Sequence, residues 1–492
     1  MEVQQIAAWD TSSLQQTQDL MKAITANSAG ITDVTQLYGG GALSVQSLEK
    51  TLVRLCFMEK HAKLYKELKM SAMKATNTSE EYSLNDGYGQ GGGWVTEMEN
   101  PEAGDPSLRR RTELVKYARE IWRTSDVITY TNQLSPAVAE SQQGAMMRLI
   151  RTVNTSLYFG NDGIVPTEIN GLLTHVERGA TADHIFDMRG SALGETHLKQ
   201  ASELIYSNMG DPSKLFISPS VQTSIDGLYT GAANGQRFIQ NAGSPQLDGV
   251  AAGYSVKKLI TSFGTFDFET DIFLSKERWT VPVRRTPTAG GTIVEGATSD
   301  KAPGTPAIAA SLTGAPVTGS KWVGTGYSPA GVAYGYRVSS RNMYGLSRAS
   351  AAATATPVAG QGVILTITES ENPNVTTGYR IFREAVSGSG KYYFVKDIAY
   401  TGSVQQFIDL NEDLPGTGIA FLIDNTYSGP NRVMSIGELA PIHSKEYAPI
   451  APYRWGAINY YINLKVYAPM KIVVFKNILV GEYSQVSPLL YL

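Results

Sequence analysis

At 492 residues the chain is long enough to bury a separate core in each of two or three domains. Its 42 Lys+Arg against 45 Asp+Glu leave a net charge of −3, which excludes a global basic field that would hold nucleic acid. Cys56 is the only cysteine, which excludes intrachain disulfides and multi-cysteine zinc sites. No apolar run reaches the roughly 18–20 residues of a membrane span, and the opening MEVQQIAAWD lacks a basic n-region and an apolar h-region. The expectation is therefore a protein made and used in a cytoplasm, without a membrane partner and uncleaved from Met1.

Residues 1–45 are polar and rich in Gln, Ser, Thr and Gly, and read as an extended arm that becomes ordered on a partner surface. A short helix is expected over 45–60, with Leu48, Leu52, Leu55 and Cys56 on one face and the Cys56 thiol buried and inert. Residues 64–127 read as a long β-hairpin. Its tip is the glycine cluster Gly87, Gly89, Gly91, Gly92 and Gly93, its outgoing side is the polar run 71–84, and its returning side runs from Trp94 through 109–123. Leu114, Ala118 and Ile121 would also share a helix face, and periodicity alone gives strand only a slight edge there.

The clearest helix begins at Ser135-Pro136. Ser suits the N-cap, and Pro suits the first helical position because its missing N–H would have no partner there anyway. Val138, Ala145, Leu149, Val153 and Leu157 fall on one face, the helix ends near 158–160, and Asn161-Asp162-Gly163 makes the turn. A mixed α/β region follows over 171–285, with helices near 196–208 and 220–229 and strands at 214–217, 257–260 and 271–274. Residues 286–320, rich in Thr, Pro, Gly and Ala, read as a linker. Short alternating strands at 334–338, 362–367, 378–383, 391–395 and 406–410 indicate a β-sandwich, and strands at 460–467 and 470–475 are expected to rejoin the α/β body.

The chemical motifs are weak. Gly87-Tyr88-Gly89-Gln90-Gly91-Gly92 matches GxGxxG, but polar residues precede it and no helix is expected after it, so a flexible hairpin tip is the reading. No P-loop and no GxSxG elbow is present. His61, His175, His184, His197 and His443 include no pair at ligand spacing, so neither metal, cofactor nor catalytic residues are expected. Arg109-Arg110-Arg111 reads as a salt-bridged surface or an inter-subunit contact, with phosphate as the other reading. Lys74 and Asn85 lie in the hairpin and are indistinguishable from solvated residues.

Taken in order, these parts resemble the tailed-phage major capsid fold of the HK-ninety-seven type, and more narrowly the capsid proteins of Twort-like myophages. The similarity is carried by residues 100–112 leading into Leu114-Val115-Lys116-Tyr117, by 156–161 with 168–172, and by 437–441, 467–471 and 476–478. The implied fold class is α+β: an N-terminal arm, an E-loop hairpin, a peripheral domain with a spine helix, an axial domain, and an all-β Ig-like sandwich insertion. The implied divisions are 1–60 for the arm and short helix, 61–127 for the E-loop, 128–175 for the peripheral domain and 176–302 for the axial domain with part of the peripheral sheet. The insertion would occupy 303–428 and the return to the capsid core 429–492. Tyr336-Arg337-Val338 and Tyr344-Gly345-Leu346-Ser347 resemble late strands of a fibronectin-type module yet precede strands that resemble its early ones, so the topology stays open.

The resemblance implies a structural protein, not an enzyme, whose copies form hexamers and pentamers of an icosahedral head around double-stranded DNA. Its partners would be itself, packaged DNA without sequence specificity, and minor capsid or decoration proteins, portal and scaffold. Its location would be the virion, after assembly in the bacterial host cytoplasm. The glycine cluster, Trp94, Arg109, Arg110 and Arg111 are the expected inter-subunit contacts. The rival reading is a tail, baseplate or adhesin protein whose sandwich binds sugar.

Overall fold

The organising element is a helix of 23 residues, Ala137–Phe159. It is seen in a computed structural model that describes residues 58–89, 93–100, 103–131, 136–230, 256–285, 292–372, 374–427, 429, 431–449 and 451–481. The expected arm, most of the helix expected over 45–60, Cys56 and Ser135 lie outside the described residues. Ala145, Leu149, Val153 and Leu157 recur at helical spacing and are buried. Pro136 stands one position before the first helical residue, at the cap, with φ −58° and ψ 108°. Gly160 ends the helix. A Cβ there would meet the Ile169 carbonyl oxygen at 2.1 Å, and one on Gly171 would meet the Ser156 carbonyl oxygen at 2.7 Å. Only glycine at both positions lets the chain fold back against the last turn.

One side of this spine helix covers a four-stranded sheet in the order Met73–Lys74, Met434–Tyr447, Tyr453–Val466, Lys116–Ser125. Trp122, Ile458, Tyr460, Ile462 and Leu464 point from the sheet into the same apolar core as Leu149 and Val153. The hairpin expected over 64–127 is corrected here at both ends. Residues 64–70 are not strand but part of a helix, Lys63–Met70, because Leu64, Tyr65 and Leu68 share one buried face. The returning side is two strands, not one. Ser107–Leu114 pairs with the outgoing strand Ser79–Gly87, whereas Lys116–Ser125 pairs with Tyr453–Val466, and buried Val115 is the hinge between them.

The first turn of Lys63–Met70 has no side-chain cap of its own. Its free N–H groups are satisfied from far along the chain: Lys63 and Leu64 donate to Asp271 Oδ2 (3.1 and 3.5 Å), and Tyr65 donates to Asn154 Oδ1 (2.9 Å). Asn154 Nδ2 (3.1 Å) and the Tyr158 hydroxyl (3.0 Å), both on the spine helix, also donate to Asp271. Asp271 was expected to begin a strand. It instead caps the short 3-10 turn Ile272–Leu274 by accepting from Phe273 N (2.9 Å), and the strand is the preceding Gly264–Thr270.

A six-stranded sheet lies beyond, in the order Ile185–Asp187, Ile472–Ile478, Gly418–Ile423, Lys214–Ile217, Gly264–Thr270, Lys258–Thr261. Strand alternation splits its side chains between two cores. Phe216, Phe421, Ile472 and Val474 face the spine helix, while Leu215, Ile217, Ala420, Leu422 and Val473 meet the helices Glu195–Ser207 and Pro219–Thr230. Gly418–Ile423, expected within the insertion, therefore belongs to this sheet: six consecutive buried residues need cover on both faces, which a central strand provides.

Between these sheets in sequence come two antiparallel sheets that share an apolar core of Trp322, Tyr336, Val338, Leu365, Tyr379 and Ile381. One is Ala307–Leu312, Val363–Thr368, Val404–Asp409. The other is Gly345–Leu346, Tyr334–Asn342, Gly378–Glu384, Tyr392–Ala399, with Ala353–Ala355 beside Tyr334. The linker expectation for 286–320 is thus corrected at Ile293–Glu295, a strand of only three residues, and at Ala307–Leu312, whose Ala and Ser content hid strand pairing. The core also holds a fully buried Arg383, which donates to Asp409 and, at 2.7 Å, to Asn411 Oδ1, while Trp322 stacks 4.7 Å from its guanidinium.

Candidate inter-subunit interface

The strands Ser79–Gly87 and Ser107–Leu114 form a two-stranded ribbon that no third strand among the described residues joins. Such a ribbon is marginal in water on its own. Its register sets Tyr82 opposite Arg111, Ser83 opposite Arg110 and Leu84 opposite Arg109, and breaks between Asn85 and Gly87. Alternation therefore divides the arginine triplet. Arg110 takes one face and pairs diagonally with Glu81 at 3.1 Å, while Arg109 and Arg111 take the other. The three guanidiniums do not form one phosphate cradle.

At the tip, Gly89 has φ +86°, and a Cβ there would lie 2.4 Å from the Asp105 carbonyl oxygen, so this position requires glycine. Gly87 closes the outgoing strand opposite Ser107, and Gly93 has φ +139° with nothing within 4 Å of a built Cβ. Gly91 and Gly92 lie outside the described residues. Trp94 is fully exposed, and Tyr88 and Met98 are 91 % and 98 % exposed. Leu108 and Leu114 are exposed on the returning strand. Among the described residues the element after the glycines is the strand Ser107–Leu114, not a helix, so no dinucleotide loop is formed.

The base of the ribbon is held firmly. Tyr82 is buried edge-on against Tyr467 with ring centroids 5.0 Å apart, and burial pushes its hydroxyl up to about 12. Lys465 Nζ donates to Glu80 at 2.6 Å, both side chains being nearly buried. Sequence reading missed these anchors, because Lys465 and Tyr467 are nearly four hundred residues away and carry no local signal. The Arg111 guanidinium reaches the helix Leu172–Gly179, lying 3.5 Å from a Cβ built on Gly179.

Buried His175 in that helix couples this base to pH. Burial, reinforced by the Arg178 and Arg111 guanidiniums, pushes its imidazole from 6.5 down to about 4. The folded value lies below the unfolded one, so the stability it contributes is full above pH 6.5 and is lost as pH falls towards 4. That interval corresponds to roughly 3 kcal/mol. His175→Phe, which cannot titrate, should flatten the fall in melting temperature between pH 7 and 4; a variant profile parallel to the parent's would refute the assignment.

Among the described residues no group of three His, Cys, Asp or Glu is placed to hold a metal ion. The arrangement offers a jutting, apolar-tipped ribbon on a well-packed body. A family model described as the SU10 major capsid protein matches residues 8–281, more than half of the chain. The chain belongs to the SU10 major capsid protein family. Within this capsid family, the match spans the ribbon, the spine helix and the first strands of the six-stranded sheet, and it stops before the sandwich strands begin.

A protein of Enterococcus phage phiEF24C named "Putative major capsid protein" is 22 % identical over 214 residues, 42 % of this chain and 44 % of that one. The chain thus matches under half the length of that relative. A solved structure from Microbacterium phage Oxtober96 aligns with a TM-score of 0.47 at 8 % identity, covering 90 % of this chain and 99 % of that one. The capsid of a native GTA particle aligns with a TM-score of 0.43 at 10 % identity, covering 91 % and 100 %.

Proposed function

We propose that this chain is the structural subunit of an icosahedral phage head, forming hexamers and pentamers around double-stranded DNA. The observation that carries the reading is the ribbon Ser79–Gly87/Ser107–Leu114, whose described tip residues Tyr88, Trp94 and Met98 are exposed although its base is locked. Membership of a major capsid protein family supports it. A neighbouring copy is the partner that would cover Trp94, Tyr88 and Met98, and a closed lattice repeats that modest contact at each subunit. Its location is then the virion, with assembly in the host cytoplasm, and scaffold, portal and minor capsid or decoration proteins are further partners. The two-sheet insertion is an outer Ig-like domain in this reading. Negative-stain microscopy of the expressed chain should show capsomers or closed shells. Fibres or isolated trimers would overturn the reading in favour of a tail or adhesin protein.

A further inference from the structure

The two-sheet insertion and the six-stranded sheet meet at a polar node around Asp187, the last residue of the strand Ile185–Asp187. Its carboxylate holds two nitrogens at once. Lys321 Nζ, from the segment between the insertion strands Ala307–Leu312 and Tyr334–Asn342, donates to Oδ2 at 2.6 Å. Asn477 Nδ2, near the end of the strand Ile472–Ile478, donates to Oδ1 at 2.6 Å. The Asn477 amide is fixed: Nδ2 also donates to the Glu412 carbonyl oxygen at 2.8 Å, Oδ1 accepts from Leu414 N at 2.8 Å, and the residue is buried. The Lys321 side chain, by contrast, is 41 % exposed on a flexible four-carbon stem.

The backbone around the node is strained. Among the described residues four non-glycine positions have left-handed φ, and three of them, Arg189 (50°), Asn411 (59°) and Asn477 (58°), meet here. Arg189 N donates to Asp187 Oδ1 at 3.1 Å, and its guanidinium donates to the Asn411 carbonyl oxygen at 2.6 Å and the Lys321 carbonyl oxygen at 3.0 Å. Such conformations persist only where the surroundings over-determine them, and they gather where side chains are held for chemistry. Burial raises the Asp187 carboxyl, but the Lys321 and Asn477 donors outweigh it and hold it below the usual carboxylate range. It is therefore charged and able to take a proton.

We propose that Lys321 and Asn477 form an isopeptide bond within one subunit, with Asp187 as the catalytic residue. Asp187 takes a proton from the Lys321 ammonium and passes it to solvent, and the free amine attacks Asn477 Cγ. The attack needs Nζ within about 3–3.5 Å of Cγ, a reach the lysine stem supplies while the amide stays fixed. Negative charge then develops on Oδ1, which the Leu414 N–H already faces. A second Nζ proton moves through Asp187 to Nδ2, the Cγ–Nδ2 bond breaks, and ammonia leaves while the Nζ–Cγ amide remains. Nothing is oxidised or reduced, and no co-reactant is needed. The bond fastens the insertion to a strand of the six-stranded sheet, and it does not depend on the capsid reading.

Intact-mass spectrometry of the full chain, denatured after purification, tests the bond. The parent should be lighter by one ammonia than its sequence requires, and a tryptic digest should contain one branched peptide joining positions 321 and 477. Lys321→Arg keeps the charge, and Asp187→Asn keeps an acceptor but cannot cycle a proton. Both should show no ammonia loss while retaining the parent's circular dichroism. A parent of full mass after prolonged incubation overturns the proposal, because Lys321, Asp187 and Asn477 are then joined by an ion pair and a hydrogen bond only. An ammonia loss that persists in Lys321→Arg also overturns it, since that loss is an asparagine cyclising on its own backbone. The masses are read on dissociated chains, so a failure to form shells bears on the capsid reading alone.

Discussion

Deleting residues 87–93 should abolish shell formation while shifting the subunit's melting temperature by less than about 2 °C. The ribbon's base is held by Tyr82 against Tyr467 and by Glu80 with Lys465, none of which the deletion touches. The tip contributes almost nothing to the subunit's own core, and exposed substitutions of that kind change stability by about 0.5 kcal/mol or less, which is about 2 °C or less in a domain of this size. Between subunits the balance reverses. A tryptophan buries about 150–250 Å² at a contact, on the order of 5 kcal/mol of gross apolar burial before ordering costs. Trp94 and its neighbours can reach a partner only if the ribbon keeps its length and its bend at Gly89. Size-exclusion chromatography and negative-stain microscopy read the outcome, and normal particles from the deletion would sink the role given to the tip.

The second large effect is in the subunit itself. Asp271→Ala should destabilise the body by about 3–5 kcal/mol, lowering its melting temperature by ~10 °C. Removing the carboxylate leaves the N–H groups of Lys63 and Phe273, the Asn154 amide and the Tyr158 hydroxyl without their acceptor in a dry core. Each buried donor left unmade costs about 1–3 kcal/mol, although relaxation recovers part of the sum. Asp271→Asn keeps one acceptor oxygen and should lose about half as much. Urea unfolding followed by tryptophan fluorescence measures both. Equal stability of parent and alanine variant would remove Asp271 as the link between the spine helix and Lys63–Met70.

Legibility followed range. Ala137–Phe159 was readable to within a residue because its apolar stripe is periodic over several turns, and Lys214–Ile217 and Gly378–Glu384 because short apolar runs sat between turn residues. Lys63–Met70 was missed because a single amphipathic turn or two is too short to outweigh the polar run beside it. The Asp271 turn was misread because an Asp before apolar residues serves equally as a strand start or a cap, and only its partners at 63, 64, 154 and 158 decide. At the interface, the exposed glycine tip and Trp94 were visible in composition. The division of Arg109, Arg110 and Arg111 between two faces needed a strand register.

By itself, then, the sequence determined the elements with sustained local periodicity, their order along the chain, and the absence of motifs for a disulfide framework or a P-loop. Composition and spacing are local properties, and they suffice for that. The tertiary structure alone decided which strands share a sheet: Lys116–Ser125 with Tyr453–Val466, and Gly418–Ile423 with the six-stranded sheet instead of the insertion. Pairing between distant strands depends on backbone hydrogen bonds that every sequence can make and on a core assembled from both ends of the chain. Neither leaves a mark on neighbouring residues.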